Sequence, residues 1–241
     1  MKGLRLFHIA TGFIAALMVL SGCSSEDLVI LSGDMTMVNY EDGVYVSDQG
    51  YTYNIVENAY GSDDFWGTAR MLFYSDILRK SSGQSNAYDI RLNSCYSVLT
   101  KNPLYESTYN TFANYGDDPV YVSSAWTSGG YINLLCIIPY DSTAGTTHLV
   151  NLVYENESGP SDKLSFRLIQ NAYGDAPTTI AEYNNSTFGG FYFSSPYNDL
   201  IPDDVDSIPG KLTWTWYSSN ELGALTTVET TQVTTLKRVS E

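Results

Sequence analysis

Apolar and polar residues alternate with a two-residue period along most of the chain, and no window after residue 23 holds an amphipathic helical period over three turns. Strand-like runs fall at Met35–Val38, Val44–Ser47, Tyr51–Val56 and Trp66–Tyr74, then at Ala87–Leu92, with a short one ending near Leu99. Glu41-Asp42-Gly43 and Ser47-Asp48-Gln49-Gly50 carry turn chemistry, and Ser81–Asn86 reads as a hairpin loop. Roughly five strands in about 70 residues, with no helix between them, predict a small closed or half-closed barrel.

The rhythm breaks from Lys101 to Pro119, where Asn102-Pro103 and Tyr115-Gly116-Asp117-Asp118-Pro119 are loop punctuation. Beyond it, runs at Val120–Thr127, Tyr131–Ile138, Thr147–Tyr154, Lys163–Ala172, Phe191–Ser194, Lys211–Tyr217 and Leu225–Leu236 predict an antiparallel β-sandwich. Gly129-Gly130 marks the hairpin between the first two. The expected class is all-β, with a barrel over 35–101 and a sandwich over 117–241.

The N-terminus departs from this pattern. Lys2 and Arg5 precede an apolar stretch, Leu6–Leu20, too short to span a bilayer comfortably, and Leu20-Ser21-Gly22-Cys23 closes it. The segment resembles a bacterial lipoprotein signal, which implies removal of residues 1–22 and acylation of Cys23. Residues 23–34 then read as a tether. Ser24 rather than aspartate after the cysteine implies outer-membrane residence, with the acyl chains as the membrane attachment.

Loss of Lys2 and Arg5 with the signal takes the formal charge from -15 to -17. Both halves of the remainder are acidic, so neither offers the basic footprint that a phosphate backbone needs. Nucleic acid is not an expected partner, and neither is an anionic lipid surface.

Several segments together are similar to the NigD-like lipoproteins of Bacteroidetes. They include Arg70–Tyr74 with Ile77-Leu78, Tyr88–Leu92, Val98–Lys101, Asn114–Val120, Ser124–Asn133, His148–Val153 and Asn171–Asp175. The resemblance covers most of residues 66–175. It implies an OB-type barrel joined to a C-terminal β-sandwich, and an immunity or accessory role in a bacteriocin system. Gln170 departs from the pattern, which often has histidine there. No catalytic residue is carried over.

The residues themselves offer few chemical candidates. His148 is the only histidine after the signal, and a triad would have to be built on it; it opens a strand-like run and reads as a hydrogen-bonded structural residue. Cys95 and Cys136 could pair in an oxidising compartment. Strand parity groups Cys136 with Ile132, Leu134 and Ile138, which favours buried free thiols. Asp203-Asp204-Val205-Asp206 lacks the ordered ligand spacing of a calcium loop and reads as solvated turn acids. Trp214 and Trp216 share a face with Leu212, either as sandwich core or as a platform for sugars.

No catalytic, cofactor-binding or metal-binding residue is therefore assigned. The expected function is a non-enzymatic envelope lipoprotein that binds a protein or peptide partner. The candidate anchors are the aromatic residues Phe191, Tyr192 and Tyr197 beside Gly189-Gly190, taken as exposed rings. A glycan-binding accessory lipoprotein is the alternative.

Overall fold

The computed structural model describes residues 31–107, 115–155, 162–219 and 224–239. Five strands form the N-terminal module: β1 (Leu31–Glu41), β2 (Val44–Ser47), β3 (Thr52–Asn58), β4 (Arg70–Lys80) and β5 (Ala87–Thr100). β1 pairs with β2 and β4, β2 with β3, and β4 with β5. A parallel pairing of β3 with β5 closes the ring, giving an OB-type barrel. The chain can wrap so tightly because its strands slip register. One slip lies between Leu31 and Asp34, where Gly33 takes a positive φ of 79°, and two lie along β4 against β5.

Three expectations are corrected here. β1 begins at Leu31, so residues 31–34 belong to the barrel rather than to the tether. The long fourth strand starts at Arg70, not Trp66, and residues 64–67 form a turn. The runs at 87–92 and up to Leu99 are one strand of 14 residues.

The second module contains β6 (Leu104–Tyr105), β7 (Tyr121–Ser128), β8 (Tyr131–Tyr140), β9 (Leu149–Tyr154), β10 (Leu164–Asn171), β11 (Thr187–Pro196), β12 (Ser207–Ser219) and β13 (Leu225–Lys237). A short helix, α1 (Ile180–Asn185), precedes β11; a capping box between Thr179 and Glu182 starts it. Its six residues fall below the length at which a helical period can be read.

The strands form two sheets. One runs β13-β12-β10-β9-β6; the other is β11-β8-β7, and it continues into the barrel because β11 pairs in parallel with β5. The barrel-then-sandwich architecture stands, but not every pairing is antiparallel: β10–β12 and β6–β9 are parallel as well.

Packing follows the alternation. Met71, Phe73, Ile90, Leu92 and Cys95 fill the barrel, while Leu134, Cys136, Leu152, Phe166, Phe193 and Trp214 fill the sandwich. Both cysteines are free and buried, as strand parity implied for Cys136. A third cluster joins the modules: Met37, Leu72 and Val98 on the outside of the barrel meet Trp126 and Tyr192 from the sandwich. Fully buried beside that seam, Arg70 of β4 reaches Asp48, Asn39, Asn133 and Ser194, and its guanidinium lies 3.9 Å from the Tyr131 ring centroid. The segment expected to be a signal, residues 1–22, together with Cys23 and residues 24–30, lies outside the described residues.

Candidate binding cleft

Parity along β11 decides where its side chains go. Phe191 and Phe193 turn into the sandwich, while Tyr192 turns out onto the barrel seam. Gly189 and Gly190 lie two and one positions before Phe191, and there the strand offers bare backbone. Gly189 shares the face of Phe191 and of its cross-strand partner Ile138, and a Cβ there would lie 3.1 Å from the Tyr140 ring. Over that face lies a cleft of about 350 Å³, lined by Leu99, Ile138, Tyr140, Thr146, His148, Val150, Gly189, Gly190 and Phe191. The volume is in the range that admits a small molecule or one or two side chains.

Hydrogen bonds fix the cleft's polar wall. His148 Nε2 lies 2.8 Å from Asp175 Oδ2, and its Nδ1 is 3.2 Å from Gln170 Nε2. A carboxylate against one ring nitrogen and a side-chain amide against the other hold the imidazole in place. Both ring nitrogens are therefore engaged, leaving neither for a nucleophile. The structural reading of this histidine holds.

Asp175 is held in turn. Its other carboxylate oxygen accepts the Asp141 N–H at 2.9 Å, and the turn that carries it runs through Tyr173 and Gly174, both at positive φ. Asp118 buttresses the same turn by accepting the Ala172 N–H at 2.7 Å. Gly116, at φ +69°, packs so closely that a Cβ would lie 2.6 Å from the Gln170 carbonyl. Nearby, Lys101 reaches inward to donate to the Val150 carbonyl at 3.0 Å, and burial lowers its pKa. From sequence, Gly116 and Asp118 were legible only as loop punctuation and Asp175 only as part of the family resemblance, not as site residues. The signal was Tyr173-Gly174 after a strand, a turn that only a distant partner makes meaningful.

The sequence-derived anchors are reassigned. Tyr197 is 2% exposed, and its hydroxyl donates to the Lys237 carbonyl at 3.0 Å; it belongs to the sandwich core. Tyr192 is half-buried on the seam, its ring 5.6 Å from that of Tyr96. Phe191 is half-buried and forms a wall of the cleft. None of the three is a freely exposed ring, because β11 is an internal strand with neighbours on both sides. Trp214 is also buried, which removes it from any sugar platform, whereas Trp216 joins Tyr121, Tyr183 and Tyr217 in an aromatic cluster. In the Asp203–Asp206 segment, Asp203 pairs with Arg238, and the Asp206 carbonyl accepts the Arg238 N–H.

No curated protein matches the chain in sequence. Residues 103–186 match the family model described as the NigD-like C-terminal beta sandwich domain. A NigD-like immunity protein from Bacteroides caccae has the same fold at a TM-score of 0.56 and 19% identity, over 86% of this chain and 94% of that one. A candidate toxin-related protein from Parabacteroides distasonis is 20% identical at a TM-score of 0.56, over 84% and 93%. A candidate lipoprotein from Bacteroides fragilis is 10% identical, also at 0.56, over 88% and 100%. Residues 103–186 are thus a NigD-like C-terminal β-sandwich domain, and the chain as a whole takes the NigD-like fold.

Proposed function

We propose that this protein is a non-enzymatic lipoprotein of the cell envelope, anchored through Cys23 to the outer membrane. It binds a protein or peptide partner as an immunity-like or accessory factor of a bacteriocin system. The observation that carries this reading is the cleft over Gly189–Gly190. Its walls are mainly apolar, with one polar edge at Thr146 and His148, and its floor is strand backbone with no side chain to fill it. Such a surface receives an apolar side chain from a partner instead of presenting an anchor of its own. The description of the Bacteroides caccae relative as an immunity protein supports the biological setting.

Photo-crosslinking tests the reading directly. A benzophenone side chain placed at Leu99, on the rim and 41% exposed, is expected to capture an envelope protein in whole cells. Gly189→Leu, whose side chain enters the cleft beside Tyr140, should abolish that adduct while the thermal midpoint holds. Absence of any adduct, or an adduct indifferent to Gly189→Leu, would overturn the proposal. A saccharide bound by the wild type and lost in Gly189→Leu would move the assignment to glycan binding.

A further inference from the structure

Sheet edges are where a β protein exposes unpaired backbone, and the edges of this molecule differ sharply. β3 is closed onto β5. β6 is two residues long, and β7 is kinked by a register slip between Val122 and Ser124. β13 has none of these protections. It spans 13 residues, every one paired with β12 in unbroken register, without a proline or a bulge. Natural edges are normally blunted by such devices or by lysines. Between Leu225 and Leu236 the only charged residue is Glu229, in a chain of net charge -15. Val228 and Val233 are 54% and 69% exposed, and the strand is open on both faces along most of its length.

The direction of its free hydrogen-bonding groups follows from the ladder. Arg238 N–H donates to the Asp206 carbonyl, immediately beyond the Ser207–Lys237 pair. Antiparallel pairs alternate between bonded and non-bonded, so even-numbered residues of β13 bond to β12 and odd-numbered ones point outward. Thr227, Glu229, Thr231, Val233 and Thr235 thus present a regular comb of donors and acceptors.

We infer that β13 is a self-association edge, which pairs antiparallel with β13 of a second copy about a two-fold axis through Thr231. Thr231 is the midpoint of the strand, and centring the pairing there matches all 13 residues and keeps the outward groups of one strand opposite those of the other. Glu229 then faces Val233 of the copy, and Lys237 faces Leu225, so no like charges lie opposite each other. Elsewhere two such acidic molecules repel, and the charge-poor strip is where they can approach. The joined sheet has ten strands, with both sandwiches on the same side of it.

The mature chain carrying Cys23→Ser, measured by sedimentation velocity at micromolar concentrations, is expected to show a reversible dimer. Thr231→Lys sets two ammonium groups face to face on the axis and should give monomers at an unchanged thermal midpoint. Val233→Lys, which faces Glu229 of the copy, should leave the dimer intact. A monomeric wild type would overturn the inference, as would a dimer that survives Thr231→Lys or is lost equally in Val233→Lys. Should Thr231→Lys not fold, Thr231→Cys replaces it: bonded antiparallel pairs lie about 5.5 Å apart at Cα, within disulfide reach. Failure of that variant to form a covalent dimer under mild oxidation would also overturn the assignment.

Discussion

Arg70 and Asp48 meet through two parallel hydrogen bonds of 2.8 Å, Nη1 to Oδ1 and Nη2 to Oδ2, with 2% and 1% of their side chains exposed. Asp48 comes from the β2–β3 turn of the barrel and also accepts from Ser128 of the sandwich. Arg70 comes from β4 and donates to Asn133 and Ser194 of the sandwich. The pair is therefore shared by both modules. Gly129 is confined by the same contact, since a Cβ there would lie 2.5 Å from Asp48 Oδ1.

Removing one member of a buried pair leaves the other charged and unsatisfied, at a cost of about 3–5 kcal/mol. Arg70→Met and Asp48→Ala are each expected to lower stability on that scale in chemical denaturation. The double variant should recover part of the loss, because no lone charge then remains. Additive losses would mean that the two side chains do not act as a unit.

Tyr197 and Tyr192 should fail in different ways. Truncating a buried aromatic costs about 3–5 kcal/mol, so Tyr197→Ala should melt many degrees lower. Tyr197→Phe loses only the hydrogen bond to Lys237, about 1 kcal/mol. Tyr192→Ala should cost less than Tyr197→Ala, since its ring is half-exposed on the seam. Calorimetry on the three variants gives the order.

The thiols should be silent in the folded protein. Burial raises the pKa of both, that of Cys136 to about 12, and only a thiolate reacts readily. Ellman's reagent at pH 8 is expected to titrate neither at an appreciable rate until denaturant is added, and then both. Fast modification of Cys136 in the native state would contradict its place in the core.

Two carboxylates should govern acid stability. Hydrogen bonds from Arg91, Asn93 and the Gly33 N–H lower the pKa of Asp76, and those from the Ser81 hydroxyl, Arg79 and Asn54 lower that of Asp89 against the opposing effect of burial. A depressed folded pKa gives stability that is present above the unfolded value of about 3.9 and is lost as pH falls through the lower folded one. The thermal midpoint should therefore drop steeply below about pH 4, and Asp89→Asn should make that drop shallower.

Features that repeat every second residue were legible in the sequence. Cys136 could be placed in the core from Ile132, Leu134 and Ile138, and Ser81–Asn86 as a hairpin loop from its composition. Features that depend on a partner far along the chain were not. Phe191, Tyr192 and Tyr197 looked like a surface cluster because nothing local reveals that β11 inserts beside β5, some 90 residues earlier, and becomes internal. The role of Arg70, which sequence offered only as part of the family resemblance, was equally hidden, since its partners span residues 39 to 194. Of the cleft, Gly189-Gly190 and Phe191 were visible from sequence. The turn that carries Asp175 to His148 was not, because the strain at Tyr173 and Gly174 becomes useful only once β9 and β10 are paired.

The position of β1 has a mechanical consequence. It is flanked by β2 and β4 and enters the barrel from its N-terminal end at Leu31, so any pull transmitted from the preceding residues acts along the strand. Antiparallel ladder bonds lie across that direction, so many of them resist together and none can be peeled away alone. A molecule tethered by this end would hold its barrel closed under traction.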